Sequence, residues 1–181
     1  EQSNRQLQFC RMLDDAKYSD ASACGNEIAS EKPMVRKYII DSLCYWASEY
    51  HIDGFRFDLM GVLDIETLNE ARKALLKINP DIIMYGEGWT GGESTLPESE
   101  RGMKINAPRT PGIGMFSDDI RDAVKGHVFY MDELGFVNGA ADRGEELKQA
   151  VMCAKWAKSP MQSINYLSCH DNYTLWDRFI I

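Results

Sequence analysis

The chain has 181 residues, 44% of them hydrophobic, and a formal net charge of −8 at pH 7. This length is enough for one sizeable core and too short for two comfortable domains. The acidic balance argues against nucleic acid or an anionic lipid surface as a partner, and no run of about 18 apolar residues is present to span a membrane. These bulk properties permit a neutral substrate without requiring one.

The cysteines and histidines favour a chain that uses no metal and no cofactor. Five cysteines form no C-x-x-C pair and their number is odd, which favours free thiols in a reducing compartment. The histidines His51, His127 and His170 are far apart and lack ligand spacing. Because the polar start shows no signal-peptide features, a cytoplasmic location is favoured. The apolar end at Ile181 favours a piece of a longer protein.

Helices and strands alternate through the first half of the chain. Ser30 is the predicted N-cap of an amphipathic helix, and the strand Phe55–Leu59 follows it. Asp64 is the predicted cap of a second helix whose apolar face extends to Ile78. The next strand, Ile82–Tyr85, is apolar throughout, as a strand covered on both faces should be.

The alternation continues after a loop rich in glycine and proline at residues 88 to 112. The predicted elements here are a short strand at 113–116, a capped helical turn at 117–125, a helix at 145–158 and a fourth strand at 164–167. The β-α-β-α order implies a parallel sheet. We therefore predict a partial (β/α)8 TIM barrel with roughly four consecutive parallel strands and flanking helices, because a full barrel needs about 250 residues. An open doubly wound sheet is the alternative fold.

Three carboxylates stand at the ends of three of these apolar runs, namely Asp58, Glu87 and Asp171. A carboxylate at the mouth of a buried strand is costly to hold, and this chain repeats the arrangement three times. Carboxylates at strand ends are typical of an active site on a β/α barrel. The pattern points to glycosidic bond chemistry, which uses paired carboxylates.

The first carboxylate has an arginine two residues before it. The pleat places Arg56 and Asp58 on one face of the strand, so the guanidinium keeps the carboxylate ionised, as a nucleophile requires. A structural ion pair inside the sheet is an equally good interpretation of these two residues alone.

The second carboxylate, Glu87, stands between Gly86 and Gly88 and next to Trp89. Flanking glycines allow a substrate to approach the backbone, and the apolar setting is expected to raise the carboxyl pKa, as a general acid needs. The same stretch matches the G-x-G-x-x-G dinucleotide pattern. That interpretation fails because residues 92 to 97 do not form a predicted helix and Glu87 would repel a pyrophosphate.

The run His170-Asp171-Asn172 follows the fourth strand. His170 could donate to a sugar hydroxyl and Asp171 could accept from two adjacent ones. For an isolated His-Asp pair, the simpler interpretation is an aspartate that N-caps the next helix. Metal-dependent phosphoesterases also contain such a run, but the other ligands that they need are missing.

These segments together resemble the α-amylase superfamily of glycoside hydrolases, and their flanks resemble type I pullulanases. The similarity starts at about Cys24, so residues 24–181 are expected to be part of the catalytic (β/α)8 barrel, while residues 1–23 remain a poorly characterised N-terminal segment. The segments that carry the resemblance are Gly54 to Asp58, Gly86 to Trp89 and His170 to Asn172, within the flanks 50–61 and 163–177.

The resemblance implies retaining hydrolysis of α-1,6 branch points in pullulan, amylopectin and limit dextrins, with an α-glucan as the partner. Asp58 would be the nucleophile, Glu87 the general acid/base and Asp171 the transition-state stabiliser. The carboxyl groups of Asp58 and Glu87 should lie about 5–5.5 Å apart. The implied substrate-binding residues are Arg56, Trp89, His170 and Asn172.

Two other interpretations stay open. The parent protein could be an isoamylase or a branching enzyme of the same superfamily, or the chain could be an inactive glycan-binding piece. In each case, the strands Phe55–Leu59 and 164–167 would leave open sheet edges, through which the isolated chain is expected to self-associate.

Overall fold

A computed structural model gives the structure of this chain and describes residues 9–13 and 17–180. The chain forms two compact units, Glu1–Gly114 and Met115–Ile181. The domain boundary predicted between residues 23 and 24 stays a prediction, and residues 1–8 and 14–16 of that segment lie outside the described residues.

From residue 17 onward, the first unit contains two helices and two strands. These are α1 (Pro33–Glu49), β1 (Gly54–Phe57), α2 (Ile65–Leu75) and β2 (Ile83–Gly86). Short 3-10 turns lie at Met60–Val62, Glu98–Glu100 and Lys104–Arg109. Its core is formed by fully or almost fully buried apolar side chains, among them Val35, Met60, Leu68, Leu75, Ile82, Met84 and Ile113.

The start of α1 differs from the prediction. Pro33 occupies the first turn, where its missing N–H costs little, and Lys32 is the N-cap residue without a side-chain hydrogen bond. Ser30 is therefore not the cap. Its hydroxyl donates to Asp64 Oδ2 at 2.7 Å and accepts from the Asp64 amide at 2.9 Å, because both residues are buried and need hydrogen-bond partners.

The cap of α2 is confirmed, since Asp64 Oδ1 accepts from the Thr67 amide at 2.9 Å. Burial alone would raise the pKa of Asp64, but hydrogen bonds from Thr67 and Ser30 and the charge of Arg36 lower it below its usual value. The helix ends at Leu75, earlier than predicted, and Ile78 lies outside it with 39% of its surface exposed.

β1 and β2 are parallel, with Gly54 opposite Ile83 and Phe57 opposite Gly86. β1 ends at Phe57, so the prediction that the strand continues to Leu59 is wrong. The chain leaves the strand direction there because Leu59 has left-handed backbone angles, with φ at 41°. The turn carries Asp58 out of the sheet.

The second unit begins within β3 (Gly114–Ser117) and continues through α3 (Asp118–Lys125), α4 (Gly144–Met152), β4 (Ser163–Asn165) and α5 (Leu175–Ile180). The 3-10 turns of this unit are Phe136–Asn138, Ala141–Arg143 and Pro160–Gln162. β3 and β4 are parallel, with Met115 opposite Ser163. The core of this unit joins Ile120, Val124 and Ala150, against which Leu147 and Leu167 pack.

Three local predictions for this unit are wrong. Ser117 precedes α3, but its hydroxyl is buried without a hydrogen-bond partner and caps nothing. The helix predicted to reach residue 158 ends at Met152, where Cys153 is extended, and beyond it the Trp156 indole donates to Asp119 Oδ2 of α3 at 2.7 Å. The strand predicted at 164–167 ends at Asn165.

No helix among the described residues is long and apolar enough to cross a membrane. All five cysteines are unpaired.

Candidate active site

The ends of β1 and β2 are joined by backbone hydrogen bonds that extend past the strands. The Glu87 amide donates to the Phe57 carbonyl at 3.1 Å. The Gly61 amide then lies 3.1 Å from the carbonyls of both Glu87 and Trp89. The turns that carry Asp58 and Glu87 are thus held side by side. Glycine is required at Gly86, because an added Cβ would lie 2.5 Å from the Phe57 carbonyl oxygen.

Arg56 connects the two carboxylates of the first unit. Its Nη1 forms a short ion pair with Asp58 Oδ1, and its Nη2 lies 2.6 Å from Glu87 Oε1. The Asp58 side chain is 72% exposed, whereas that of Glu87 is 6% exposed. One guanidinium therefore holds an open carboxylate and a buried one at the same edge. The distance between the two carboxyl groups stays a prediction.

The surroundings of Glu87 are more polar than the sequence predicted. Its second oxygen, Oε2, accepts from the Leu59 amide at 2.7 Å, so both oxygens are hydrogen-bonded. The left-handed turn at Leu59 aims that amide at the carboxylate. Trp89 is half-buried, and the Lys104 ammonium lies 5.2 Å from the centre of its ring, within cation–π range.

A cavity of about 230 Å³ opens beside Asp58. One wall comes from the turn after β1 and the opposite wall from the segment at residues 22–28, which the sequence left almost without interpretation. The residues that line the cavity are Ser22, Asn26, Glu27, Ile28, Asp58, Leu59, Val62 and Leu63.

A buried ion pair supports this wall. Arg11 Nη1 lies 3.2 Å from Glu27 Oε2, and the two side chains are 3% and 0% exposed. The same nitrogen donates to the Val62 carbonyl at 2.8 Å. Glu27 also accepts from Ser19 and, at 2.8 Å, from Ser94 in the loop after β2. The pair therefore links the N-terminal segment to both turns of the site, and no local pattern in the sequence marked it.

In the second unit, His170 and Asp171 lie on an exposed loop after β4. Their side chains are 71% and 53% exposed, and His170 Nε2 is 3.2 Å from Asp171 Oδ1. The proposal that Asp171 caps the next helix is wrong. Thr174 and Asp177 do so, with the Thr174 amide 2.8 Å from Asp177 Oδ2 and the Asp177 amide 3.2 Å from Thr174 Oγ1.

Asn172, the last residue of this run, is held by Lys125. The lysine side chain is completely buried, and its Nζ donates to Asn172 Oδ1 at 2.9 Å. Burial lowers the pKa of Lys125, and the charge of Arg121 lowers it further. Sequence reasoning missed Lys125, because a lysine at the end of a helix is ordinarily exposed.

Within the part of the chain that the structure describes, one group of residues could hold a metal ion. The ligand atoms of Cys169, His170 and Asp171 lie within 4.8 Å of one another. The sequence argument against a metal rested on the spacing of the histidines and overlooked this group. The absence of a metal stays a prediction.

Among the predicted site residues, Arg56 contacts both Asp58 and Glu87, and Trp89 lies two residues after Glu87. His170, Asp171 and Asn172 share one loop of the second unit. Each group offers carboxylates, hydrogen-bond donors and open surface, which suits a polar, uncharged ligand such as a carbohydrate.

Comparison with known proteins extends this description. No protein-family model matches the chain. A pullulanase of Bacillus subtilis (strain 168) is 42% identical over 167 residues, which cover 88% of this chain and 23% of that protein. A pullulanase of Klebsiella aerogenes is 32% identical over 205 residues, which cover 87% of this chain and 18% of that protein. Isoamylase 3 of Oryza sativa subsp. japonica is 31% identical, with 92% and 21% covered.

Solved structures give the same result. The pullulanase of Paenibacillus barengoltzii complexed with maltohexaose and α-cyclodextrin has a TM-score of 0.87 and 48% identity, covering 94% of this chain and 27% of that one. The pullulanase of Anoxybacillus sp. LM18-11 complexed with maltotriose has a TM-score of 0.92 and 43% identity, covering 96% and 25%. The chain thus spans about a quarter of the length of these relatives. The predicted fold, four strands with flanking helices from a (β/α)8 barrel, is confirmed.

Proposed function

Because the chain belongs to the pullulanases of the α-amylase superfamily, we propose that it carries the catalytic carboxylates of a debranching enzyme. The reaction is retaining hydrolysis of α-1,6-glucosidic linkages in pullulan, amylopectin and limit dextrins. The observation that carries the proposal is the guanidinium of Arg56, which contacts exposed Asp58 and buried Glu87 at once. The maltooligosaccharides bound in the related structures support an α-glucan as the substrate.

In this proposal Asp58 is the nucleophile. Its carboxylate oxygen bonds to the anomeric carbon while the bond from that carbon to the leaving oxygen breaks, and Glu87 gives its proton to that oxygen. In the second step Glu87 takes a proton from water, and the water oxygen displaces Asp58. Asp171 stabilises the positive charge that develops on the sugar ring in both steps.

Arg56 has two tasks in this scheme. Its ion pair with Asp58 orients that carboxylate, and its contact with Glu87 fixes that side chain before substrate binds. Both oxygens of Glu87 accept hydrogen bonds in this structure. Each oxygen keeps a second lone pair, so the carboxyl group can carry the proton that it donates while these contacts hold it in place. Trp89, His170 and Asn172 bind the substrate, with the indole as a stacking surface.

Site variants in the complete enzyme test these roles. Asp58→Asn should abolish pullulan hydrolysis while leaving the melting temperature nearly unchanged, because the shape is kept and the nucleophile is lost. Glu87→Gln should recover part of its rate on substrates with activated leaving groups, which need no proton donor. Asp81→Asn is the matched control, since Asp81 is exposed and precedes β2. Near-normal activity of either site variant would rule out its assigned role.

The substrate range separates this proposal from its alternatives. Release of reducing ends from pullulan by the complete enzyme would support the pullulanase assignment over an isoamylase or a branching enzyme. The pullulanase assignment is favoured because the identity with the Bacillus subtilis pullulanase, 42%, exceeds that with the rice isoamylase, 31%. The glycan-binding alternative would be supported if the chain binds maltotriose while the complete enzyme hydrolyses neither pullulan, amylopectin nor limit dextrins.

We also propose a location for the protein and a mode of association for the isolated chain. The five unpaired cysteines favour a reducing compartment such as the cytoplasm. The net charge of −8 disfavours nucleic acid and anionic membranes as partners. The outer edges of β1 and β4 would allow the isolated chain to self-associate, and sedimentation as a monomer at all concentrations would contradict this.

A further inference from the structure

Lys125 is the last residue of α3 and its side chain is fully buried, which is rare for lysine. The ammonium donates to Asn172 Oδ1 at 2.9 Å and to the Tyr173 carbonyl at 2.5 Å. Both acceptors are neutral oxygens. They lie 47 and 48 residues further along the chain, directly after Asp171.

The backbone of Lys125 is fixed as well. Its carbonyl accepts from Arg178 Nε at 3.1 Å and from Asn138 Nδ2 at 3.2 Å, which come from α5 and from the loop before α4. The Gly126 amide continues the helix by donating to the Asp122 carbonyl at 2.9 Å. The lysine side chain therefore projects from a rigid base.

The contacts continue through the loop. Asn172 Nδ2 lies 3.6 Å from Cys169 Sγ, so the asparagine spans the two residues between them, His170 and Asp171. The ammonium, the amide and the thiol thus close the base of this short loop. His170 and Asp171 point outward from it, as their exposure shows.

We propose that Lys125 is a positioning residue which, through Asn172 and the Tyr173 carbonyl, fixes the loop that carries His170 and Asp171. This inference rests on the proposed function, which places the Asp171 carboxylate against the sugar ring at the transition state. A displacement of about 1 Å in such a group can reduce the rate by about 100-fold.

Stability alone does not account for a lysine here. A buried ammonium loses its hydration, and neutral carbonyl oxygens offset that loss only in part. Replacing both members of a buried ion pair by apolar groups is often neutral or stabilising, whereas Lys125→Met only takes the donor away from Asn172 Oδ1 and the Tyr173 carbonyl. Methionine has a similar length and no charge to desolvate, which offsets part of that loss, so the variant should still fold, with a melting temperature that is unchanged or modestly lower. The effect of Lys125 on the position of the loop can therefore be separated from its effect on folding.

The test compares Lys125→Met, Lys125→Arg and the control Lys148→Met in the complete enzyme, since the Lys148 side chain is 71% exposed. For Lys125→Met we expect kcat on pullulan to fall about 10–100-fold, with KM changed less and the melting temperature unchanged or modestly lower. Lys125→Arg, which keeps a donor, should recover part of kcat. Unchanged kcat in Lys125→Met, or a loss of kcat that is explained by unfolding at the assay temperature, would overturn the inference.

Hydrogen exchange on the 181-residue chain tests the same loop without any activity. In Lys125→Met, the amides of residues 168–174 should exchange faster, while those of α4 keep their rates. Exchange that is equal to the natural chain in this loop would contradict the inference. If the natural enzyme does not hydrolyse pullulan, the proposed function fails, and the exchange result still decides whether Lys125 positions the loop.

Discussion

Replacing Arg11 by methionine would leave a buried carboxylate without its counter-ion. Arg11 Nη1 lies 3.2 Å from Glu27 Oε2, and Glu27 is fully buried. That oxygen accepts no hydrogen bond, so the nearby positive charge is what compensates its burial. The same substitution removes the donor to the Val62 carbonyl, in the turn after β1. We expect a large loss of stability in the first unit.

The size of the loss follows from the burial of both partners. Removing one member of a buried ion pair typically costs about 3–5 kcal/mol. A urea dependence of about 1–3 kcal/mol per molar then moves the unfolding midpoint down by at least about 1 M. The exposed pair of Lys37 and Asp41, with side chains 64% and 62% exposed, gives the contrast. Lys37→Met should change stability by less than about 1 kcal/mol.

The assay is urea unfolding of the chain, followed by tryptophan fluorescence. The double variant Arg11→Met/Glu27→Gln supplies the decisive control, because it removes both charges and the glutamine can still accept from Ser94. It should be more stable than Arg11→Met alone, which makes the coupling between the two sites clear. A midpoint shift below about 0.3 M for Arg11→Met would refute the reasoning. So would a double variant whose loss of stability equals the sum of the losses in Arg11→Met and Glu27→Gln, each measured alone.

Three further predictions concern Leu59 and Gly86 in the site and Asp64 at the start of α2. Leu59→Gly should keep the amide contact with Glu87, because glycine accepts the left-handed angles. Leu59→Val should lose that contact and change the pH–rate profile of the enzyme, because a β-branched residue does not accept these angles. Identical profiles for the two variants would show that the turn does not position Glu87. Gly86→Ala should lower the melting temperature, because its Cβ would lie 2.5 Å from the Phe57 carbonyl oxygen, and an unchanged value would contradict the close approach. Asp64 has a lowered pKa, so its stabilising contribution is present above about pH 4 and is lost as the pH falls through its folded pKa. Asp64→Asn should flatten that acid limb in unfolding experiments, and an unaltered limb would mean that other groups cause it.

The sequence by itself determined the features that depend on neighbouring residues. The N-cap at Asp64 needs only a carboxylate three residues before an amide, and the ion pair of Arg56 with Asp58 joins residues two positions apart. The alternation of strands and helices predicted the fold class, and short ordered motifs identified the family. Each of these signals lies within a few positions of the residue that it concerns.

Element ends and buried polar partners were decided by tertiary structure. Ser30 is a good local cap, yet it bonds to Asp64, 34 residues away, because both are buried together. The helix predicted to reach residue 158 stops at Met152, where Cys153 is extended, and Trp156 beyond it bonds to Asp119 of α3. Lys125 resembles an exposed helix end until the fold brings Asn172 to it. A buried polar group must find a partner wherever packing supplies one, and no local pattern encodes a partner that is distant along the chain.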